Sequence, residues 1–525
     1  MSYIIILKIF VILFLSLLLV FLALKKPELS GFFEKAGLFG IFLFALFIPI
    51  KDEFAIFGMV VAIVFFIAYR ISKRDFKLPY TVFNKPIIIY VFITTLSFIW
   101  TYSIKGSINE GGEILYFFAF FFATAELLNS NKKIVFMLYT FAFSITVAIF
   151  YGFFQGIFIN ALHSANRVTG LIGNWDGYPV QVSYGIVLFI SLFMLKFSRL
   201  DKLKEKNFIK LDKNGNNNLI FDKSKSENIF IDDIDDKDNL NNLAASDLFN
   251  NNKHIIKKIN NKKNKFAVLF KKLYDKIANN KFIKNSIITA IIFAGLISII
   301  LSKARSAWIG VFFGIFIIMF LKSKKIFIAV LIAIFIFNAG FLYASKSFRS
   351  RIFAMFNPKI YLCEVKGHGD IESHIALVES AAAVFFRHPF TGVGIGAFSK
   401  FFDTHKNVHF PYYHNPKTGK KEYDTYDNWP ENGYMQTLAE TGIFSFIVLM
   451  WLFFAALKEP IKLYANSKDI FVKKISVMTA GISMVFYGSF IGISNMSNDQ
   501  LTNLWLLFLA IFASILNISK KNKNN

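Results

Sequence analysis

Long apolar runs separated by short polar gaps extend over most of the chain. About 20 consecutive apolar residues allow an α-helix to cross the ~30 Å hydrocarbon layer of a bilayer. The pattern therefore predicts an all-α, polytopic integral membrane protein with about 12–13 transmembrane helices. One pair of runs is separated only by the tight turn Lys51-Asp52-Glu53. The predicted runs lie near residues 3–24, 36–50, 54–70, 86–102, 112–128, 134–158, 179–197, 284–302, 306–321, 325–345, 439–457, 475–493 and 501–518.

Two stretches interrupt this pattern of apolar runs and short polar gaps. Residues 199–283 are rich in Asn, Lys and Asp and carry too little apolar area to fold, so we predict a disordered cytoplasmic insert. Apolar residues at helical spacing between 266 and 277 predict either a basic helix on the inner membrane face or a solvated linker. Residues 346–438 mix aromatic, glycine, proline and charged residues, which is typical of an ordered external loop. The remaining parts, predicted as N-terminal, central and C-terminal transmembrane helices, are 1–198, 284–345 and 439–525.

Composition and charge support this class and give an orientation. Apolar residues make up 55% of the chain, which is more than a soluble core can bury. The net charge of +25 is concentrated in alternate short gaps, so the positive-inside rule predicts a cytoplasmic C-terminus and an external 346–438 loop. The basic residues are expected to attract membrane lipids and not nucleic acid, since no nucleic-acid motif accompanies them. The first run lacks a basic leader and a cleavage site, so we predict a retained span.

Four polar segments on the predicted outer side carry the residues that could do chemistry. Arg167 and Arg305 are permanent cations that can bind phosphate oxygens through paired donors, or can simply anchor helix ends among lipid headgroups. The single cysteine, Cys363, excludes an internal disulfide and a multi-cysteine metal site. The external histidines lack metal-ligand spacing, so neither a metal nor a cofactor is predicted. The segments are 167–176, 302–308, 387–398 and 429–443.

The last two segments surround short predicted helices. A helix over 372–386 ends at His388-Pro389, where histidine before proline is more often structural than catalytic. The alternating glycines that follow are expected to let the backbone pass close to another element or to a ligand. Glu431 and Asn432 precede a helical run, where an acid either interacts with the helix dipole or acts as a general base.

Taken in order, these segments resemble the O-antigen ligase and O-antigen polymerase superfamily of bacterial envelope enzymes. Members carry an Arg-x-x-Gly…Gly-Asn-Pro-Asn stretch, a Ser-Arg-x-x-Trp-like stretch, a His-Pro-x-x-Gly-x-Gly stretch and a His-Asn-x-x-Leu-Gln-x-x-x-Glu-x-Gly stretch. Here Glu431 stands where the family has its usual histidine, and Trp175-Asp176 replaces the usual Pro-Asn. The matching residues are 167–176, 302–308, 388–398 and 431–442.

The resemblance implies a GT-C-like topology with one large periplasmic loop in a bacterial inner-membrane protein. It implies metal-independent transfer of a glycan from undecaprenyl diphosphate to an acceptor hydroxyl, on the lipid A core of lipopolysaccharide or on a growing polysaccharide. Arg167 and Arg305 would bind the diphosphate, and Arg305 would also be catalytic together with Glu431 as the base. Asn432 and Gln436 would bind substrate.

Two other classes remain open from the residues alone. A transporter or flippase would need charged residues within the spans and paired repeat halves, whereas Glu126 is the only clear acid well inside a run and no repeat is evident. A non-catalytic assembly scaffold would leave both arginines replaceable.

Overall fold

A computed structural model gives the architecture of much of the chain. The predicted span at 3–24, the span at 325–345 and the insert at 199–283 lie largely or wholly outside the described residues. The described part divides into Met1–Leu195 with Ala290–Asn525 and a second unit, Lys196–Thr289. The described residues are 22–159, 167–174, 177–194, 281–323, 325, 327–328, 332, 371–404, 412–414, 421–423, 430, 432–492, 496 and 499–524.

Helices dominate the described chain. A 3-10 turn at Ser97–Trp100 extends α3, and π-helical turns at Gln155–Ile159 and Ile190–Met194 extend α5 and α6. The elements are α1 (Ser30–Phe47), α2 (Asp52–Ser72), α3 (Asn84–Leu96), α4 (Ile104–Leu127), α5 (Asn131–Phe154), α6 (Gly177–Phe189), α7 (Lys281–Ser302), α8 (Arg305–Lys322), α9 (Ile371–Arg387), α10 (Phe398–Thr404), β1 (Tyr412–His414), β2 (Lys421–Tyr423), α11 (Gly433–Asn466), α12 (Ile470–Ser489) and α13 (Asp499–Asn524).

The predicted spans that fall on described residues coincide with these helices. Within the described chain, 8 helical segments are long and apolar enough to cross a membrane, and Asn84–Trp100 and Gly177–Leu192 are shorter apolar helices. Many large apolar side chains on them are exposed, among them Phe92 and Phe143, as expected where lipid is the solvent. The prediction of an all-α polytopic membrane protein is confirmed. The pairing of β1 with β2, which places Tyr412 opposite Tyr423, is a small addition to it.

The core of the bundle lies around α13. Trp505 is fully buried and stacks on Phe486 of α12, with ring centroids 4.5 Å apart. Its indole N–H donates to the Ser483 hydroxyl at 3.1 Å, so the one polar atom of the ring is satisfied in an apolar interior. Phe453 of α11 packs edge-on against the same indole at 5.5 Å. The last helix is therefore enclosed by its neighbours, while α1 and α2 are more exposed.

The tight turn between α1 and α2 is accommodated by close helix packing. Lys51 ends the turn with its N–H donating to Phe47 O, and its side chain pairs with Glu53 at 3.1 Å. A Cβ atom added to Gly40 of α1 would lie 2.5 Å from Ala62 N and 2.6 Å from Gly58 O of α2. Small residues let helix backbones approach in membranes, so this glycine contact sustains the antiparallel pair.

We expect Gly40→Ala to destabilise the fold by about 1–3 kcal/mol, since the added methyl group meets backbone atoms that cannot move aside. Gly31→Ala, in the same helix, has nothing within 4 Å of the new Cβ atom and serves as the matched control. Thermal unfolding of the two detergent-purified variants would measure the difference. Equal melting temperatures would show that the helices separate without cost.

The gaps rich in basic residues lie at one end of the bundle. Lys133 Nζ at the start of α5 pairs with Glu34 Oε1 at the start of α1 at 2.7 Å, and Arg70 at the end of α2 pairs with Glu126 at the end of α4 at 3.2 Å. Lys474 at the start of α12 donates to a carbonyl at the end of α6 at 2.8 Å. Their grouping matches the charge alternation along the chain. The assignment of this end to the cytoplasm stays a prediction.

Candidate functional site

Arg305 is the first residue of α8 and directly follows a tight turn from α7. The Ser302 hydroxyl donates to Ile299 O at 2.7 Å and accepts from the Ala304 N–H at 3.3 Å. Between them Lys303 adopts a left-handed backbone with φ of 59°. The Arg305 side chain is exposed, and no side chain caps the helix N-terminus. This turn therefore presents a guanidinium beside the free N–H groups of a helix start, an arrangement that favours anions.

Arg167 begins a short segment that is attached to the end of α5 by the side chain of Gln155. The Gln155 Oε1 atom accepts from the backbone N–H groups of Thr169 at 3.2 Å and Gly170 at 2.9 Å. The Gln155 Nε2 atom donates to Thr169 Oγ1 at 3.1 Å. Because these bonds satisfy backbone donors outside regular structure, they hold the segment at the end of the bundle.

Val168 brings this segment close to the end of α7. A Cβ atom added to Gly156 would lie 2.5 Å from Leu301 Cδ1 and 3.1 Å from Val168 Cγ2. The Val168 and Leu301 side chains thus both contact Gly156. Val168 directly follows Arg167, and Leu301 lies four residues before Arg305. The two predicted arginines lie at the same end of the bundle.

The start of α11 reaches this end through the turn after α12. A Cβ atom added to Gly492 would lie 2.6 Å from Ser306 Cβ, so the turn packs against the beginning of α8. Two residues earlier in the same turn, Phe490 O accepts from the Gly433 N–H at 2.9 Å. Asn432 therefore lies across this turn from Arg305. The predicted base, Glu431, lies outside the described residues.

Residues 392–398, called the glycine-rich segment below, lie along the first part of α11. The N–H of Val393 donates to Ala439 O at 3.0 Å, and the N–H of Gly394 donates to Glu440 O at 2.8 Å. On its other side, Val393 O accepts from the Tyr102 N–H at 3.0 Å. The segment is thus bound to the residues before α4 and to α11 by main-chain hydrogen bonds.

Gly442 divides α11 into two helical parts, and it is the last residue of the fourth motif. Its φ of 76° lies in the left-handed region, which favours glycine. A Cβ atom there would meet the carbonyl carbon of Phe390 at 2.6 Å, and the Ile443 N–H donates to Pro389 O at 2.9 Å. The Glu-x-Gly end of the motif therefore forms a bend that receives the glycine-rich segment.

Close approach explains the alternating glycines. A Cβ atom on Gly394 would lie 2.6 Å from Thr101 Cα, and one on Gly396 would lie 2.5 Å from Gly106 O. Both have positive φ, at 98° and 64°. The expectation that these glycines let the backbone pass close to another element is confirmed. The partner is the start of α4 together with the residues just before it, which sequence reasoning did not connect with the motif.

His388 lies within an aromatic cluster. Its ring packs edge-on against Phe401 at 5.5 Å and against Tyr102 at 6.0 Å between centroids, and those two rings are 4.9 Å apart. This packing agrees with a structural role for the histidine, and the helix expected over 372–386 is observed as Ile371–Arg387.

Asn432 and Gln436 have local partners at the start of α11. Asn432 Oδ1 caps the helix by accepting from the Met435 N–H at 3.1 Å. Gln436 is fully buried, and its Nε2 donates to Glu440 Oε1 at 3.2 Å. Each amide thus helps to build the short helix that precedes Gly442. Their roles in binding substrate stay predictions.

Two enclosed carboxyl groups were missed by the sequence reasoning. Glu440 is 0% exposed and Glu110 only 8% exposed, although neither lies well inside a predicted apolar run. Glu126 pairs with Arg70 near the helix ends and its side chain is 30% exposed. The Glu-x-Gly end of the fourth motif was the available signal for Glu440. Glu110 carries no motif signal, because only the fold brings α4 to this place.

Long apolar helices, with the polar segments and both arginines gathered at one end, define a polytopic α-helical membrane protein with a polar site at the membrane boundary. A family model described as O-antigen ligase matches residues 290–450 and supports membership of the O-antigen ligase superfamily. The match covers Arg305, the glycine-rich segment and the start of α11, and excludes Arg167. No curated protein gives a significant match to the chain.

The family match indicates glycan transfer of the ligase or polymerase type on lipid-linked polysaccharide substrates by a multi-pass bacterial membrane protein. It does not favour the transporter or flippase alternative.

Proposed function

We propose that the chain transfers a glycan from an undecaprenyl-diphosphate carrier to an acceptor hydroxyl at the periplasmic face of the inner membrane. The observation that carries the proposal is the grouping of Arg305, the 167–170 segment and the start of α11 at one end of the bundle. This end is opposite the one where the basic gaps meet, which is where a periplasmic site would lie under the positive-inside rule.

The exposed guanidinium of Arg305 and the uncapped start of α8 would hold the diphosphate of the donor. A guanidinium donates two parallel hydrogen bonds to phosphate oxygens, and the helix dipole adds positive potential at the same place. Arg167 would provide a second cation from the segment that Gln155 holds. Two cations stabilise the negative charge that develops on the leaving diphosphate, so the transfer is proposed to proceed without a metal.

In the proposed step, the acceptor oxygen forms a bond to the anomeric carbon as the bond from that carbon to the diphosphate oxygen breaks. The diphosphate leaves with the electron pair, and the hydroxyl proton passes to the Glu431 carboxylate as general base. Asn432 fixes the helix start next to this acid through its cap and would bind substrate there, while the buried Gln436 would support the same helix through its hydrogen bond to Glu440. Direct displacement predicts inversion at the anomeric carbon, which analysis of the anomers in product linkages would check.

The test of the proposed function is a deletion strain examined for surface glycan and lipid-linked intermediates, with the full chain restored from a plasmid. Loss of a ligase should leave long chains on the lipid carrier, and loss of a polymerase should leave acceptors capped by single repeat units. Restoration by the wild-type gene assigns the defect to this chain. An unchanged glycan profile and unchanged carrier-linked pools in the deletion strain would contradict the proposal.

A further inference from the structure

The glycine-rich segment is enclosed by carboxyl side chains from distant parts of the sequence. Glu440 of α11 accepts at Oε1 from the Phe398 N–H at 3.4 Å and from Gln436 Nε2 at 3.2 Å. Its carboxyl group also accepts from the Gly396 N–H. A single buried side chain thus binds two backbone donors of the segment 396–398.

Glu110 of α4 lies close to the same glycine. A Cβ atom added to Gly396 would lie 3.1 Å from Glu110 Cδ, and the Ser107 hydroxyl, one turn earlier in α4, donates to Ile395 O. Both carboxyl groups are enclosed, and taking an ionisable group out of water is costly unless hydrogen bonds offset the cost. Both lie next to one loop residue, Gly396, which points to a common role in holding it.

The glycine-rich segment connects the two carboxyl groups to the proposed transfer site. It binds Ala439 and Glu440 by main-chain hydrogen bonds, and these residues belong to the short helix that begins just after Asn432. The orientation of that helix sets where Asn432 lies relative to Arg305. A shift of the segment would therefore move Asn432 and, under the proposed function, the base that precedes it in the sequence.

We propose that Glu440, with Glu110 also next to Gly396, is a positioning residue that fixes the glycine-rich segment and through it the start of α11 in the transfer site. The proposal rests on the proposed function. It assigns Glu440 the role of a hydrogen-bond acceptor for backbone N–H groups, not that of a proton acceptor in the reaction.

The experiment compares Glu440→Ala and Glu440→Gln in the full chain, with Glu459→Ala near the other end of the same helix as control. Amide hydrogen exchange over residues 392–398 reports how the segment is held, and glycan transfer reports the site. Glu440→Ala should speed exchange in this segment and lower transfer by about a hundredfold, as misplaced reacting groups do. Glu440→Gln keeps an acceptor oxygen and should leave both close to wild type.

The possible results test the positioning role of Glu440 and the proposed function separately. Unchanged exchange in Glu440→Ala would overturn the positioning role. Normal exchange with lost transfer in Glu440→Gln would overturn it as well and would make the carboxylate itself reactive. If the wild-type chain shows no transfer, the proposed function fails, while the exchange comparison still decides whether Glu440 holds the segment.

Discussion

Replacing Arg305 with alanine is expected to lower glycan transfer by about a hundredfold or more, because a fixed charge at the developing diphosphate is lost. The side chain is exposed at the first residue of α8, so its removal leaves no buried partner unsatisfied. Expression and thermal stability should therefore stay near wild type. The measurement is transfer from a lipid-linked donor by the purified variant, in parallel with complementation of a deletion strain.

Arg305→Lys separates charge from geometry. Lysine keeps the positive charge but cannot donate two parallel hydrogen bonds to a phosphate, so an intermediate loss is expected. Lys322→Ala at the other end of the same helix removes an exposed cation outside the site and should leave transfer unchanged. Full activity in Arg305→Ala would instead show that the arginine only anchors the helix end and does not stabilise the leaving diphosphate.

The membrane helices could be predicted from the sequence because lipid imposes one strong rule on the chain. A spanning segment must be long, apolar and helical, so its length and composition appear directly in the residues. The tight turn at Lys51 was the weakest point of that pattern, and the structure places a helix on each side of it. The turn between Ser302 and Arg305 could also be predicted from the sequence, because it joins two apolar runs.

The glycine-rich segment shows where sequence reasoning ended. Its alternating glycines predicted a close backbone approach, yet the partner at Gly106 is nearly 300 residues earlier and has no motif of its own. Glu110 was not identified as a candidate from the sequence for the same reason. Periodicity identifies the face of one helix, whereas contacts between distant helices depend on how the whole bundle packs.

Gly106 provides the second large effect, since the fold depends on contact between its backbone and the glycine-rich segment. A Cβ atom added to Gly106 would meet the carbonyl group of Gly396, with its carbon at 2.9 Å. The obstacle is backbone that is itself held by α11, so neither side can yield cheaply. We expect Gly106→Ala to destabilise the chain by about 1–3 kcal/mol and to reduce transfer by displacing the segment.

Gly112, in the same helix, makes the comparison decisive. Nothing lies within 4 Å of a Cβ atom built there, so Gly112→Ala gains only the helix propensity of alanine, about 1 kcal/mol in favour of the fold. The same substitution at two positions of α4 should therefore move the melting temperature in opposite directions. If both variants are stabilised, the backbone contact at Gly396 does not hold the segment, and the assembly of the site must depend on other parts of the chain.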